Sequence, residues 1–387
     1  MINSQKRQAI IEPESKTSID LRSDTVTEMS AGMRHAMSHA VAGDMLYEMD
    51  DNVIALEEIL AKLFEMNAMW VPSCTMANLI GLLLSRRSLG CEIIVGETSH
   101  INTFERKNAS FVGGMSYRTL PDRHGCIQLD DLRSALVAES AFFPEQAAIA
   151  LENTHNLSGG NAFNVEYFEE ICGWARSNQL RVHLDGARIF NASVALNVRL
   201  ASWSFSGGGP DTLAVSLSKG LGTPAGGALL IQSPDDLERA KYIRKALGGT
   251  MHTGVGYLAA AAVEAIGPTG INASLDQLAR DHYLAEWLSD GIRAIDGFSV
   301  LNGVQTNIIY FEHSTIVGPE LALLLKQRGV LSTCLSTSGV FPTDSYIKAK
   351  APVRFVTHRG ITKSNAESIL YALQRIAPFP SSSISSA

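Results

Sequence analysis

The strongest structural signal in this chain of 387 residues is the segment Ser218-Lys219-Gly220-Leu221-Gly222-Thr223-Pro224-Ala225-Gly226-Gly227. The apolar run at 212–215 predicts a buried strand, so Lys219 lies between a strand and a glycine-rich turn. The glycines lack the spacing of a dinucleotide site, and Lys219 precedes them instead of closing a phosphate loop. A solvated loop lysine is the commoner explanation. A lysine held against dry backbone is also a nucleophile that can form a Schiff base with an aldehyde cofactor.

Composition places the chain among globular proteins, because 45% of its residues are hydrophobic and 18% are charged. The formal charge of −7, spread without long runs of one sign, argues against a nucleic-acid or anionic-membrane partner. No apolar run approaches the ~18 residues of a membrane span. The five cysteines form no C-x-x-C pair, which predicts reduced thiols. The first 16 residues lack a signal-peptide core and a transit helix, so the cytoplasm is the expected compartment.

Hydrophobic patterning predicts the architecture. Helical and strand patterns alternate over 51–232, and the apolar strands predict an α/β fold with a mostly parallel sheet buried on both faces. Asp51 and Asn52 are the expected cap of the first of these helices. The predicted strands are 68–71, 92–95, 148–151, 181–184, 212–215 and 228–231, and the helices include 76–84, 165–177 and 234–247.

After Gly267-Pro268 the pattern changes to a smaller α+β region. Its predicted helices are 275–295, 319–327 and 363–376, and its predicted strands are 307–311 and 353–356. We therefore expect an N-terminal arm at 1–30, a large domain at 31–266, a small C-terminal domain at 267–380 and a flexible tail at 381–387.

Other candidate functional residues follow the predicted strands. Pyridoxal phosphate needs a carboxylate at its ring nitrogen, and Asp185 follows strand 181–184, where parallel sheets place such groups. Its phosphate needs a helix N-terminus, which the segment 73–78 offers after strand 68–71. His100 and His155 also come just after strands. Each residue alone has an ordinary explanation as a cap or loop residue, but together they predict one site at one sheet edge.

Several long stretches also carry a family resemblance, namely 20–27, 73–78, 152–156, 183–192 and 217–222. Together they resemble the L-threonine aldolase family, in the β-eliminating-lyase branch of the aminotransferase-fold enzymes. The match runs from about Asp20 to Ala262, and more loosely to the end. It implies the pyridoxal-phosphate-dependent fold type I, which is aspartate aminotransferase-like, with a mostly parallel seven-stranded sheet in the large domain.

The resemblance also implies residue roles. Lys219 would be the Schiff-base lysine, Asp185 the partner of the ring nitrogen, and His100 the imidazole stacked on the cofactor ring. No metal is expected. The implied cofactor-binding residues also include Ser73, Cys74, Thr75, Arg188 and His252, and the implied substrate-binding residues are Ser23, Tyr47, His155, Arg188 and Arg354.

The implied activity is cleavage of the Cα–Cβ bond of a β-hydroxy-α-amino acid, L-threonine or L-allo-threonine, to glycine and an aldehyde. His100 or His155, directly or through water, is the candidate base. The alternative is an amino-acid racemase, like the fungal alanine racemases that share this resemblance. A catalytically silent scaffold is a third reading, which intact Lys219 and Asp185 disfavour. By analogy we expect a homodimer or homotetramer.

The sequence departs from the family at several positions. Cys74 replaces a glycine, which is tolerable only if this residue keeps a negative φ. The segment 43–50 keeps Tyr47 and loses an acid. His252 stands where an arginine is expected near the phosphate, and an imidazole binds phosphate more weakly than a guanidinium.

Overall fold

The computed structural model describes residues 18–47, 49–138, 140, 142–334 and 351–376. The strands, in chain order, are β1 (Ile19–Asp20), β2 (Asn67–Val71), β3 (Glu92–Gly96), β4 (Ser116–Leu120), β5 (Asp122–Arg123), β6 (Cys126–Ile127), β7 (Gln146–Glu152), β8 (Arg181–Gly186), β9 (Thr212–Ser216), β10 (Gly227–Ile231), β11 (Phe298–Val300), β12 (Ile308–His313), β13 (Val330–Leu331), β14 (Thr333–Cys334) and β15 (Val353–Val356).

The α-helices are α1 (Ala31–His39), α2 (Asp51–Phe64), α3 (Cys74–Ser85), α4 (His100–Thr103), α5 (Asn108–Gly113), α6 (Leu129–Ala135), α7 (Val165–Ser177), α8 (Ile189–Leu196), α9 (Pro234–Ala246), α10 (Gly254–Ile266), α11 (Ile271–Arg293), α12 (Gly318–Gln327) and α13 (Lys363–Gln374). Short 3-10 helices lie at Asp24–Val26, Met45–Tyr47 and Leu200–Gly207.

A seven-stranded sheet forms the centre of the molecule, in the order β2-β10-β9-β8-β7-β3-β4. Strand β10 is antiparallel to both of its neighbours, and the other pairings are parallel. The predicted α/β fold with a mostly parallel sheet is therefore confirmed. The sequence analysis missed the edge strand β4, because Tyr117, Arg118 and Thr119 leave no continuous apolar run there.

Helix boundaries follow the capping rules, with one correction. Asp50, rather than Asp51 and Asn52, caps α2, because its Oδ1 accepts hydrogen bonds from the backbone N–H groups of Asn52 and Val53. Helix α9 begins as predicted, with Ser233 as cap and Pro234 at the first position. The corrected start of α2 leaves the predicted positions of the residues at the sheet edge unchanged.

The buried side chains form several clusters around the central sheet and a second core among the C-terminal elements. The second core lies between α11, α12, α13 and the antiparallel sheet β11-β12-β15-β14. Leu21 belongs to this second core, and Ile19 of β1 pairs in parallel with Val330 of β13. The segment before α1 therefore packs on the C-terminal part of the chain. The predicted tail at 381–387 and the first 17 residues lie outside the described residues.

Within the described ranges, no helix combines the length and the apolar composition that crossing a bilayer requires.

Candidate active site

The predicted site residues come together at the carboxyl edge of the central sheet. Ser73 follows β2, His100 follows β3, His155 follows β7 and Lys219 follows β9. Asp185 is the penultimate residue of β8 and therefore lies inside the strand, whereas the sequence pattern had placed it just after the strand's end. Strands β9, β8, β7 and β3 are neighbours, and β10 alone separates β2 from β9, so these five residues lie along one edge of the sheet.

Asp185 is buried, with 1% of its surface exposed. Its Oδ1 accepts a hydrogen bond from the Ala187 backbone N–H at 3.0 Å, and its Oδ2 accepts one from Asn78 Nδ2 at 2.9 Å. No ion pair joins Asp185 to an arginine or lysine of the described residues. Its carboxylate is therefore held by neutral donors, and its charge is available to a cationic group of a ligand.

His100 begins helix α4 and is half-buried. Its Nδ1 lies 3.0 Å from Glu105 Oε1, and its backbone N–H donates to Glu152 Oε2 at 2.6 Å. Burial opposes the charged imidazolium, but the Glu105 hydrogen bond and the charges of Asp185 and Glu152 outweigh burial and raise the pKa of His100. Burial, opposed by the His100 hydrogen bond, also raises the pKa of Glu105. The Nε2 atom of His100 makes no hydrogen bond with the described residues.

His155 is enclosed, with 1% of its surface exposed. Its Nδ1 accepts a hydrogen bond from the Ser158 N–H at 3.2 Å, and its Nε2 lies 3.6 Å from Asp122 Oδ2 and 3.8 Å from Glu152 Oε2. Burial opposes charge on this ring, but the Glu152 and Asp122 carboxylates raise its pKa. The Ser158 contact favours the neutral ring and the carboxylates favour the charged one. In both forms Nε2 carries a proton, so it offers no free lone pair.

Lys219 is half-buried and is close enough to several site residues to affect their ionisation. Burial opposes the ionised form of Asp24, but Arg188, Lys219 and a hydrogen bond from Asn307 hold the pKa of Asp24 well below its usual range. Burial and then the Asp185 carboxylate raise the pKa of the Cys74 thiol, against the opposing charge of Lys219. The lysine therefore lies among the predicted cofactor and substrate groups.

Two arginines meet at one amide oxygen. Asn156 Oδ1 accepts hydrogen bonds from Arg188 Nη1 at 3.3 Å and from Arg354 Nη1 at 3.1 Å. Asp24 binds Arg188 in a bidentate pair, with both distances 2.8 Å. Arg354 donates hydrogen bonds to neutral oxygens, including those of Asn156, Thr333 and the Arg22 carbonyl. Asp24 therefore pairs with Arg188, whereas Arg354 forms no ion pair with a carboxylate of the described residues and can bind a ligand carboxylate.

The predicted phosphate segment opens helix α3. Ser73 caps the helix through the Met76 N–H at 3.2 Å, and Ser73 and Thr75 are exposed. Cys74 is the first helical residue and is absent from the left-handed conformations, so the expected negative φ is present. A Cβ on Gly227 of β10 would approach the Cys74 nitrogen to 3.0 Å. Glycine at 227 therefore lets the segment pack against the sheet.

Two predicted residues lie on exposed segments of this chain. Tyr47 is 70% exposed. His252 is also exposed, and its Nδ1 lies 3.2 Å from Asp44 Oδ2. The described hydrogen bonds of His252 do not reach the segment at Ser73. Ser23 instead lies close to the arginines, since it caps the 3-10 helix that contains Asp24.

Sequence reasoning missed several residues that hold the site together. Asp24, Asn78, Glu152 and Asn156 lie inside the stretches that carried the family resemblance, but only their neighbours received roles. Glu105 lies outside those stretches, five residues after His100. Its only sequence signal was an acid near a candidate histidine, which many exposed acids share.

The residues at this edge fit pyridoxal phosphate. Asp185 is a buried carboxylate that lacks a cationic partner among the described residues, as a protonated ring nitrogen requires. Helix α3 presents hydroxyls and N–H groups for the phosphate. Lys219 offers an amine at the same edge of the sheet. Fold and site together define a pyridoxal-phosphate-dependent enzyme of fold type I.

Comparison with known proteins supports this class of enzyme. The chain belongs to the β-eliminating lyase family, which it matches over residues 20–314. It is 34% identical over 366 residues to low-specificity L-threonine aldolase 1 of Arabidopsis thaliana, covering 92% of this chain and 96% of the relative. It is 28% identical over 299 residues to alanine racemase TOXG of Cochliobolus carbonum, covering 76% and 75%.

A solved structure of Leishmania major threonine aldolase has the same fold, with a TM-score of 0.78 at 19% identity, covering 93% of this chain and 99% of that one. The resemblance and the fold type expected from the sequence are therefore confirmed.

Proposed function

We propose that this protein is a pyridoxal-phosphate-dependent aldehyde-lyase. It cleaves the Cα–Cβ bond of a β-hydroxy-α-amino acid, L-threonine or L-allo-threonine, and yields glycine and an aldehyde. The observation that carries the proposal is the two-arginine site beside Lys219, which suits the carboxylate of an amino acid. The family and the relative named L-threonine aldolase support it.

The cofactor, when bound, supplies an electron sink for the bond that breaks at Cα. Lys219 provides the amine that holds it. When the cofactor is bound, Asp185 would favour a protonated ring nitrogen, because its carboxylate is buried and held by neutral donors. Ser73 and Thr75, with the N–H groups at the start of α3, bind the phosphate.

The arginines orient the substrate. Arg354 and the free N–H groups of Arg188 bind the α-carboxylate, and Ser23 lies next to them on the Asp24 turn. Fixing the carboxylate fixes the remaining Cα substituents relative to the cofactor ring. With the cofactor bound, the orientation of the carboxylate would decide which Cα bond can be cleaved.

His100 is the base for the β-hydroxyl proton, directly or through a water. Its Nε2 is free of hydrogen bonds with described residues, whereas Nδ1 contacts Glu105. His155 cannot take this role while its Nε2 carries a proton and its Nδ1 accepts from Ser158. We therefore assign the proton transfer to His100. His155 shapes the pocket around the substrate hydroxyl.

Incubation with L-threonine, L-allo-threonine and L-alanine in deuterated water tests the proposal. We expect aldehyde release and glycine from at least one hydroxy amino acid. Deuterium exchange at Cα of alanine without aldehyde release from either threonine isomer would indicate an amino-acid racemase instead, and would refute the lyase. The Lys219→Ala variant is the control, because it keeps the fold and lacks the amine.

We also propose that a second copy of this chain completes the site, in a homodimer or homotetramer. Tyr47 and His252 lie on exposed segments that also present Val41, Met49 and Met251 to solvent. Exposed apolar patches of this kind mark association surfaces. The cytoplasm remains the expected compartment. Light scattering of the purified protein tests the association, and a monomer with full activity would contradict it.

A further inference from the structure

A line of hydrogen bonds joins Asp185 to His100 through Asn78 and Glu105. The proposed reaction gives no role to either of these two linking residues. Asn78 Nδ2 donates to Asp185 Oδ2 at 2.9 Å and to Glu105 Oε1 at 2.8 Å. The same Glu105 oxygen lies 3.0 Å from His100 Nδ1. One amide group therefore bridges the carboxylate expected at the cofactor ring and the carboxylate behind the proposed base.

The orientation of the Asn78 amide, set by these two carboxylates, also fixes the tautomer of its other neighbour, His183. Asn78 Oδ1 lies 3.0 Å from His183 Nε2, and His183 Nδ1 lies 2.8 Å from Thr212 Oγ1. Burial lowers the pKa of His183 to about 4, so the ring is neutral and carries one proton. The two carboxylate oxygens at Asn78 Nδ2 require its NH₂ group on that side, so Oδ1 faces His183 Nε2 and the ring proton lies on Nε2. Asn78 Oδ1 is thus the acceptor, and its NH₂ group faces both carboxylates.

Glu105 is surrounded by donors. Its Oε1 accepts from Asn78, its Oε2 accepts from Asn108 Nδ2 at 3.1 Å, and its side chain is 1% exposed. Burial raises the pKa of Glu105, but its hydrogen bonds with His100 and Asn78 oppose that shift and favour the ionised carboxylate. An ionised Glu105 can only accept, so the proton between Glu105 and His100 belongs to the histidine.

We propose that Glu105 is a positioning residue: it holds the proton of neutral His100 on Nδ1 and leaves Nε2 free to accept one. The inference rests on the proposed function only in one respect, namely that Nε2 accepts the β-hydroxyl proton of the substrate. The tautomer itself is a property of the protein without substrate. Asn78 links this arrangement to Asp185, so both carboxylates depend on the same amide.

The charges that face His100 come from four elements. Glu105 follows α4, Asp185 lies in β8, Glu152 ends β7 and Lys219 follows β9. Glu105 makes the one side-chain hydrogen bond to the ring among the described residues. Removing its charge leaves burial and Lys219 opposed only by the two more distant carboxylates. The pKa of His100 should then fall.

Glu105→Gln removes the charge and keeps the shape. Asn108 Oδ1 is buried without a hydrogen-bond partner among the described residues. A flip of the Asn108 amide would therefore let this oxygen accept from the new Gln Nε2, so the variant can keep its contacts. Glu145→Gln is the matched control, because Glu145 pairs with Arg87 near the surface and away from the sheet edge.

The readout is ¹⁵N NMR of the histidine rings in the protein without cofactor, with His100 assigned through His100→Asn. We expect neutral His100 to carry its proton on Nδ1. Its pKa should fall by about 1–3 units in Glu105→Gln, and should not move in Glu145→Gln. In the loaded enzyme, the acidic limb of the kcat/KM profile should shift by the same amount.

A neutral His100 with its proton on Nε2 in the unaltered protein would overturn the inference, even if Glu105→Gln does not fold. An unchanged His100 pKa in a folded Glu105→Gln would overturn it too. If the expected tautomer and pKa shift are found but no aldehyde is released from any substrate, the proposed function fails and the positioning role of Glu105 is supported.

Discussion

Replacing Asp24 with asparagine tests how the carboxylate site is built. Asp24 is fully buried and binds Arg188 through two hydrogen bonds of 2.8 Å, and Asn307 Nδ2 donates to the same carboxylate at 3.2 Å. Asparagine is nearly isosteric, but its NH₂ group would face one of these donors. The charge of Arg188 would then lie buried without a carboxylate. Breaking a buried pair in this way costs about 3–5 kcal/mol.

Urea unfolding followed by tryptophan fluorescence measures this cost, with Asp24→Asn, Arg188→Met and the double variant forming a cycle. We expect the double variant to be less destabilised than the sum of the single variants, because the second change removes the unpaired charge. The coupling should be about 1–3 kcal/mol. Additive effects, or a loss below about 1 kcal/mol for Asp24→Asn, would show that the pair does not act as a unit.

The contribution of Asp24 to the free energy of unfolding should depend on pH, and the sign of this dependence follows from its pKa. The folded pKa of Asp24 is depressed, so its stabilising contribution is present above the unfolded value of about 3.9 and is lost as the pH falls towards the folded value. The unfolding curves of the unaltered protein and of Asp24→Asn should therefore approach each other in acid below about pH 4. A constant difference at all pH values would contradict the assignment of the charge to Asp24.

Other variants test separate parts of the site. Lys219→Ala should abolish turnover and the visible absorbance of the covalently held cofactor while circular dichroism stays unchanged, and measurable wild-type turnover would contradict the lysine's role. His155→Gln should lower kcat/KM without moving its acidic limb, because His100 is the proposed base, whereas a moved limb would return the role to His155. Burial raises the pKa of Asp281 to about 7, so its ionisation destabilises the fold as the pH rises from about 4 to 7. Asp281→Asn should then stabilise the protein increasingly over that range, by up to about 4 kcal/mol in urea unfolding.

The sheet and the candidate groups at its edge could be predicted because both depend on local patterns. A buried parallel strand gives a continuous apolar run, and the residue that follows it lies at a common edge. Lys219, His100 and His155 were found in this way. Helix α7 was predicted with its observed limits, because Asn164 is a strong cap and the apolar spacing is regular.

What could not be predicted depends on contacts between distant segments. Glu105 and Asn78 are 27 residues apart and meet only because α3 and the segment after α4 pack together at the sheet edge. His155 was a candidate base in sequence, and only its contacts with Ser158, Asp122 and Glu152 in the folded chain indicate which nitrogen holds the proton. Proton positions follow from three-dimensional neighbours, which a linear pattern does not contain.

The carboxylate site also explains why the three parts of the chain must be assembled before it can work. Asp24 lies in the segment before α1, Asn156 follows β7 of the central sheet, and Arg354 belongs to β15 of the second sheet. Arg188, after β8, bonds to the first two of them. A small shift of the second sheet relative to the first would move Arg354 away from Asn156 and change the orientation of the bound carboxylate. Under the proposed function, that orientation would select the Cα bond that breaks, so the packing between the two sheets would help to decide between lyase and racemase chemistry.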